Sequence, residues 1–125
     1  MRFYKNKPFQ RDSKNSEITD EDLNTVIDDI FDGRSIPLGA RLYKIRGATE
    51  GKGKSGGFRS IFYWKKDRHI IFCVLFTKNE QENITQDEKK VLKILSKEYD
   101  NLTDEEIERR VHRSDFTEIN YEKQK

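Results

Sequence analysis

The chain has 125 residues, of which 38% are charged and 33% are hydrophobic, and its formal net charge is +2. This length predicts a single domain over residues 1–125 with a small core, and the near balance of charge excludes a strongly one-signed polyelectrolyte. Cys73 is the single cysteine, which excludes an intrachain disulfide, and its apolar surroundings indicate a buried side chain. Since no apolar run approaches the ~18 residues of a membrane span and the N-terminus lacks a secretory apolar region, we expect a cytoplasmic protein.

Three capped helices are predicted along the chain. The stretch before Thr19 is mixed and indicates no clear element. Thr19 can cap a helix whose first turn is acidic, whose apolar residues recur at helical spacing and which ends at Gly33. The same signals predict two further helices, which begin after Thr85 and after Thr103.

Three strands are predicted between the first and second of these helices. Residues 36–39 indicate a turn, and residues 40–46 alternate as a half-buried strand does. Residues 58–65 alternate again, residues 66–68 supply a hairpin turn, and the continuous apolar run 70–76 indicates a central strand. This order predicts an α+β fold, with a small antiparallel or mixed β-sheet and helices packed on one face.

Charge is segregated along the chain. Residues 17–32 contain seven Asp or Glu and no Lys or Arg, whereas residues 41–68 contain nine Lys or Arg against two acidic residues. Charge runs usually mark solvated faces. However, Lys44, Arg46 and Arg59 occupy strand positions that should share a sheet face, and like charges clustered there favour an anionic ligand.

Two other anion or metal sites are disfavoured by their context. Residues 51–56 match the pattern G-x-G-x-x-G, but a strand is predicted to follow, whereas a nucleotide loop requires a helix N-terminus there. His69 and His112 are far apart in the sequence, and neither has a partner at ligand spacing. We therefore expect no metal and no cofactor.

A cluster of cations suits the transesterification of RNA, in which the 2′-hydroxyl attacks the adjacent phosphorus. Arg46 and Arg59 could hold the phosphate, and Lys44 or Lys54 could accept the proton, because neighbouring positive charge disfavours a protonated lysine. DNA lacks this hydroxyl, so the chemistry selects RNA. The ring of Tyr63 could stack on a base or pack in the core.

Three sequence motifs together resemble the RelE/HigB-like toxins of bacterial type II toxin–antitoxin systems. They lie at residues 38–46, at residues 53–59, which read GKSGGFR, and at residues 76–84. The second motif places the chain near the branch with a Gly-Lys-x-Gly-Gly-x-Arg signature. The resemblance covers about residues 19–119. Separately, we expect residues 122–125 to form a frayed end.

The resemblance implies a small α+β toxin that enters the ribosome and cleaves mRNA through 2′-hydroxyl attack, without a metal. It implies catalytic roles for five basic side chains, which are Lys44, Arg46, Lys54, Arg59 and Lys78. We further expect three side chains to contact the RNA, which are Lys52, Tyr63 and Asn79.

The resemblance also implies partners, which are the 70S ribosome with its mRNA and a cognate antitoxin, commonly a helix-turn-helix protein. Two alternatives stay open at this point. Toxins of the ParE branch share the fold but inhibit DNA gyrase without cleaving nucleic acid, and a degenerate member of the family could be a binding module without toxicity.

Overall fold

The structure is a computed structural model, and it describes residues 1–49, 57–77 and 83–123. Elements are numbered in chain order. The helices are α1 (Lys7–Asn15), α2 (Asp20–Phe31), α3 (Gln86–Asp100) and α4 (Asp104–His112). The strands are β1 (Arg2–Asn6), β2 (Ile36–Gly39), β3 (Leu42–Gly47), β4 (Phe58–Lys65), β5 (His69–Thr77) and β6 (Phe116–Glu118).

One sheet joins the six strands in the order β2-β3-β4-β5-β1-β6. The pairing of β1 with β5 is parallel, and the other four pairings are antiparallel. The sheet is therefore mixed, and the predicted α+β class is confirmed. The apolar strand β5 lies between β4 and β1, which confirms its predicted central position.

Helices cover both faces of this sheet, so the prediction of helices on one face is wrong. Leu23 of α2 belongs to the same core cluster as Phe62 of β4. Leu92 of α3 and Ile107 of α4 belong to a second cluster, together with Ile61. Since Ile61 and Phe62 are consecutive in β4, they point to opposite faces. Both faces of β4 and β5 are apolar, so each face is buried by packing against helices.

The three predicted helix starts are confirmed. The hydroxyls of Thr19, Thr85 and Thr103 each accept a hydrogen bond from the backbone N–H three residues later, at 3.1–3.2 Å. Helix α2 ends just before Gly33, whose φ of +81° is one that glycine adopts without strain. Local sequence signals were sufficient here because a cap and its helix are adjacent in the chain.

The N-terminal stretch, for which no element was predicted, forms β1 and α1. The side chain of Asn6 accepts a hydrogen bond from Phe9 N at 3.0 Å, which caps α1, and its amide donates to Tyr99 Oη at 3.2 Å. Lys5 is buried and pairs with Asp20 at 2.7 Å. Lys5 and Asn6 obscured the strand pattern, because their partners Asp20 and Tyr99 are distant in the sequence.

Residues 36–39 form strand β2 and not the predicted turn. The turn lies at Ala40 and Arg41, whose φ angles are +54° and +61°, so β3 begins at Leu42. Two residues with positive φ are typical of the tight turns that join antiparallel strands. Pro37 is compatible with β2 because this strand lies at the edge of the sheet.

Candidate functional site

Three cationic side chains share one sheet face at the end of the β3–β4 pair. Arg46 lies directly opposite Arg59, and Lys44 lies opposite Ile61. Cross-strand partners point to the same face of an antiparallel pair, as do residues two apart along a strand. The register therefore brings Lys44, Arg46 and Arg59 together.

These cations line an open cleft at a corner of the sheet. Strand β2 begins at Ile36, opposite Lys44, so β3 extends beyond it over residues 45–47. A cleft of about 610 Å³ lies at this step, which is within the roughly 300–1,000 Å³ of ordinary ligand pockets. Its described lining consists of Asp29, Arg34, Ile36, Lys44, Ile45, Arg46 and Arg59.

The strands that carry the two arginines are fixed by a close contact between Gly47 and Phe58. The two residues are cross-strand partners, and the ring of Phe58 is fully buried over the glycine. A Cβ added at Gly47 would lie only 2.3 Å from Phe58 Cζ. Because Gly47 follows Arg46 and Phe58 precedes Arg59, this contact sets the spacing of the two guanidinium-bearing residues.

Other cations of the basic segment 41–68 are held by carboxylates of the helices. Arg41 pairs with Asp100 at 2.7 Å, and Arg68 pairs with Asp104 at 3.1 Å. Lys65 donates to the backbone oxygen of Asp100 at 3.4 Å. The excess of positive charge in the sequence is therefore partly neutralised at the end of β4 that lies away from the cleft.

The cleft cations keep their charge available. Within residues 1–49, 57–77 and 83–123, Lys44, Arg46 and Arg59 form no ion pair with a carboxylate. Arg46 is exposed, whereas Lys44 and Arg59 are half-buried. Half-buried charges are screened less by salt than exposed ones, so the cleft is suited to bind an anion.

Tyr63 does not line the cleft, and its predicted contact with RNA is wrong. Its side chain is fully buried, and its hydroxyl donates a hydrogen bond to Asp100 Oδ1. Burial raises the pKa of the Tyr63 hydroxyl, and the bond to Asp100 raises it further. A ring without exposed surface offers no face on which a base could stack, so Tyr63 is a structural residue that connects β4 to α3.

Cys73 is buried, as its sequence context indicated. It is the extra residue of a bulge in β5, since Ile61 pairs with Val74 and Phe62 pairs with Phe72. Burial raises the pKa of the Cys73 thiol to about 12. A thiol that keeps its proton is a poor nucleophile, so Cys73 has a packing role.

Four of the predicted site residues lie outside the described residues. Lys52 and Lys54 belong to the glycine-rich segment between β3 and β4, and Lys78 and Asn79 follow β5. Their predicted roles stay predictions. The strands on either side of these segments lead to the cleft, because Phe58 pairs with Gly47 and with Thr77.

Sequence reasoning missed two residues of the cleft, Asp29 and Arg34. Asp29 lies in the last turn of α2, and Arg34 follows Gly33 in the link to β2. They form an ion pair at 3.5 Å. The predicted turn at residues 36–39 hid this proximity, because only the pairing of β2 with β3 places Arg34 near the arginines of the hairpin.

The described residues contain no group of three or more His, Cys, Asp or Glu side chains arranged to hold a metal ion. In the same parts of the chain, no helix has the length and the apolar character needed to cross a membrane.

In a comparison with protein families, the chain matches the family described as the RelE toxin of the RelE/RelB toxin–antitoxin system. The match covers residues 1–119 and so includes β1 and α1, which lie before the start of the motif-based resemblance.

Proposed function

The chain belongs to the RelE toxin family of toxin–antitoxin systems, and on that premise we propose that it is a ribosome-dependent mRNA endoribonuclease. The observation that carries this proposal is the cleft lined by Lys44, Arg46 and Arg59, whose charges are not paired with any carboxylate of the described residues. A phosphodiester that becomes more negative as it reacts is the substrate that such a cleft stabilises best.

The reaction is an attack of the 2′-hydroxyl on the adjacent phosphorus. The bond between O2′ and phosphorus forms while the bond between phosphorus and O5′ breaks, which leaves a 2′,3′-cyclic phosphate and a 5′-hydroxyl. Arg59 binds the phosphate oxygens and Arg46 assists it, since guanidinium groups hold phosphate through paired hydrogen bonds. A base takes the proton from O2′, and an acid gives one to O5′. These roles belong to Lys44, Lys54 or Lys78.

The proposed partners follow from the family and the substrate. Toxins of this family pair with an antitoxin, for which we propose a helix-turn-helix protein. The 70S ribosome presents the mRNA, and the proposed location is the cytoplasm. The acidic residues of α2 other than Asp29 do not belong to the described lining of the cleft. Their negative charge disfavours docking on RNA in the wrong orientation.

The proposal is tested in a purified translation system that contains 70S ribosomes and a defined mRNA. We expect cuts within the codon in the ribosomal A site, with a 2′,3′-cyclic phosphate on the upstream product. A single 2′-deoxynucleotide at the cut position should abolish that cut, because the attacking hydroxyl is absent. An intact mRNA contradicts the proposal; inhibition of gyrase by the same protein would then favour the ParE-like alternative, and no effect on either target would favour a non-toxic binding module.

A further inference from the structure

A third arginine, Arg34, lines the cleft beside the two arginines of the hairpin. In the β2–β3 register, Ile36 lies opposite Lys44 and Pro37 lies opposite Tyr43. The pairing ends at Ile36, and Arg34 lies two residues before it, in the link between α2 and β2. Arg46 in turn lies opposite Arg59. All three arginines line the same cleft.

The end of helix α2 fixes the backbone of Arg34. Gly33 adopts a φ of +81°, its N–H donates to Ile30 O at 3.0 Å, and the N–H of Arg34 donates to Asp29 O at 3.1 Å. These two bonds form the Schellman arrangement, which ends a helix in one defined direction. Arg34 therefore leaves α2 at a set angle towards the step in the sheet edge.

The side chain of Arg34 is oriented by Asp29 but is not saturated by it. The shortest contact joins Arg34 Nη1 to Asp29 Oδ1 at 3.5 Å, whereas a strong charge-assisted hydrogen bond measures about 2.7–2.9 Å. The Arg34 side chain is 63% exposed, compared with 22% for Asp29. A guanidinium has five N–H donors, so Arg34 can bind a phosphate while Asp29 keeps it directed at the cleft.

We propose that Arg34 is an RNA-binding residue, and that Arg34, Arg46 and Arg59 together bind consecutive phosphates of one RNA strand. Arg59 holds the scissile phosphate, and Arg34, in the link before the edge strand β2, holds a neighbouring one. This inference rests on the proposed function, since it assigns the substrate of the same cleft. It adds a contact from outside the β3–β4 hairpin.

The test measures binding of a fluorescent 2′-O-methyl RNA octamer, which cannot be cleaved, by fluorescence anisotropy over a range of salt concentrations. Arg34→Ala should weaken binding about tenfold at low salt, as expected for the loss of a hydrogen-bonded charge. It should also reduce the slope of log K against log salt by about 0.7, the value for one phosphate contact on a single strand. Arg34→Lys should keep the slope, because it keeps the charge.

Arg113→Ala is the matched control. The Arg113 side chain is 62% exposed and pairs with a nearby carboxylate, that of Asp115, as Arg34 pairs with Asp29, but it lies after α4 and does not line the cleft. It should change neither the affinity nor the slope. If Arg34→Ala behaves like Arg113→Ala while Arg59→Ala weakens binding, the inference is overturned and the proposed function stands. If Arg34→Lys reduces the slope of log K against log salt as much as Arg34→Ala does, the inference that Arg34 binds a phosphate through its charge is also overturned.

Failure of the proposed function has a different signature. In that case the wild-type protein leaves mRNA intact on the ribosome, and Arg59→Ala binds the octamer as the wild type does. That result would remove the basis for assigning a phosphate to Arg34 as well.

Discussion

Replacing Gly47 with alanine tests whether the contact between β3 and β4 holds the cationic cleft in shape. The added Cβ would lie 2.3, 2.6 and 2.8 Å from three ring carbons of Phe58, well inside the 3.4 Å of ordinary contact. Phe58 is fully buried, so its ring cannot move aside without opening the core. Overpacking usually costs about 1–3 kcal/mol, and we expect a value near 3 kcal/mol because the obstacle is a rigid ring.

The magnitude can be converted to a change in melting temperature. The unfolding entropy is about 2.1 cal/mol/K per residue, so in a chain of 125 residues each kcal/mol of destabilisation lowers the melting temperature by roughly 4 °C. Gly47→Ala should therefore melt about 11 °C below the wild type. Gly57→Ala is the control, because the nearest atom to its Cβ is Gly47 O at 3.4 Å. We expect it to stay within about 1 kcal/mol of the wild type in urea unfolding. Equal stability of the two variants would refute the packing argument.

Two further predictions concern side chains outside the cleft. Tyr63→Phe should lower the free energy of unfolding by about 1–2 kcal/mol, because Asp100 loses a hydrogen-bond donor, and should leave the rate of RNA cleavage unchanged; slower cleavage at unchanged stability would contradict a purely structural role for Tyr63. Burial lowers the pKa of His69 from its ordinary value of 6.5, so the unfolded chain takes up a proton near pH 6.5 that the folded protein binds only at lower pH. The wild type should therefore lose stability as the pH falls from 7 to 5, and His69→Gln should lose less, as measured by urea unfolding at each pH. Equal losses of unfolding free energy in the two proteins would contradict the role given to His69.

The elements that the sequence predicted well are those specified by neighbouring residues. The three threonine caps and the glycine after α2 act within one helical turn, and the alternation in β4 acts within one strand. The same alternation, combined with a hairpin, was sufficient to place Lys44, Arg46 and Arg59 on one face. Local chemistry of this kind does not depend on where distant segments pack.

The elements that the sequence did not predict depend on distant partners. Strand β1 contains Lys5 and Asn6, whose polar groups are satisfied by Asp20 and Tyr99. The place of Arg34 in the cleft follows from the position of β2 beside β3, and the burial of Tyr63 follows from the position of α3. Neither can be read from the spacing of residues along the chain.

The central claim is that the positive side chains of the cleft stabilise the reacting phosphate, and Arg59→Ala tests it most directly. The measurement is the single-turnover rate of mRNA cleavage on 70S ribosomes, with Arg68→Ala as the control, because Arg68 belongs to the same basic segment but pairs with Asp104 outside the cleft. Loss of one preorganised donor to a developing anion typically lowers the rate by about 10²–10³-fold. We predict that loss for Arg59→Ala, with a normal unfolding transition, and an unchanged rate for Arg68→Ala. Equal rates for the two variants would contradict the account.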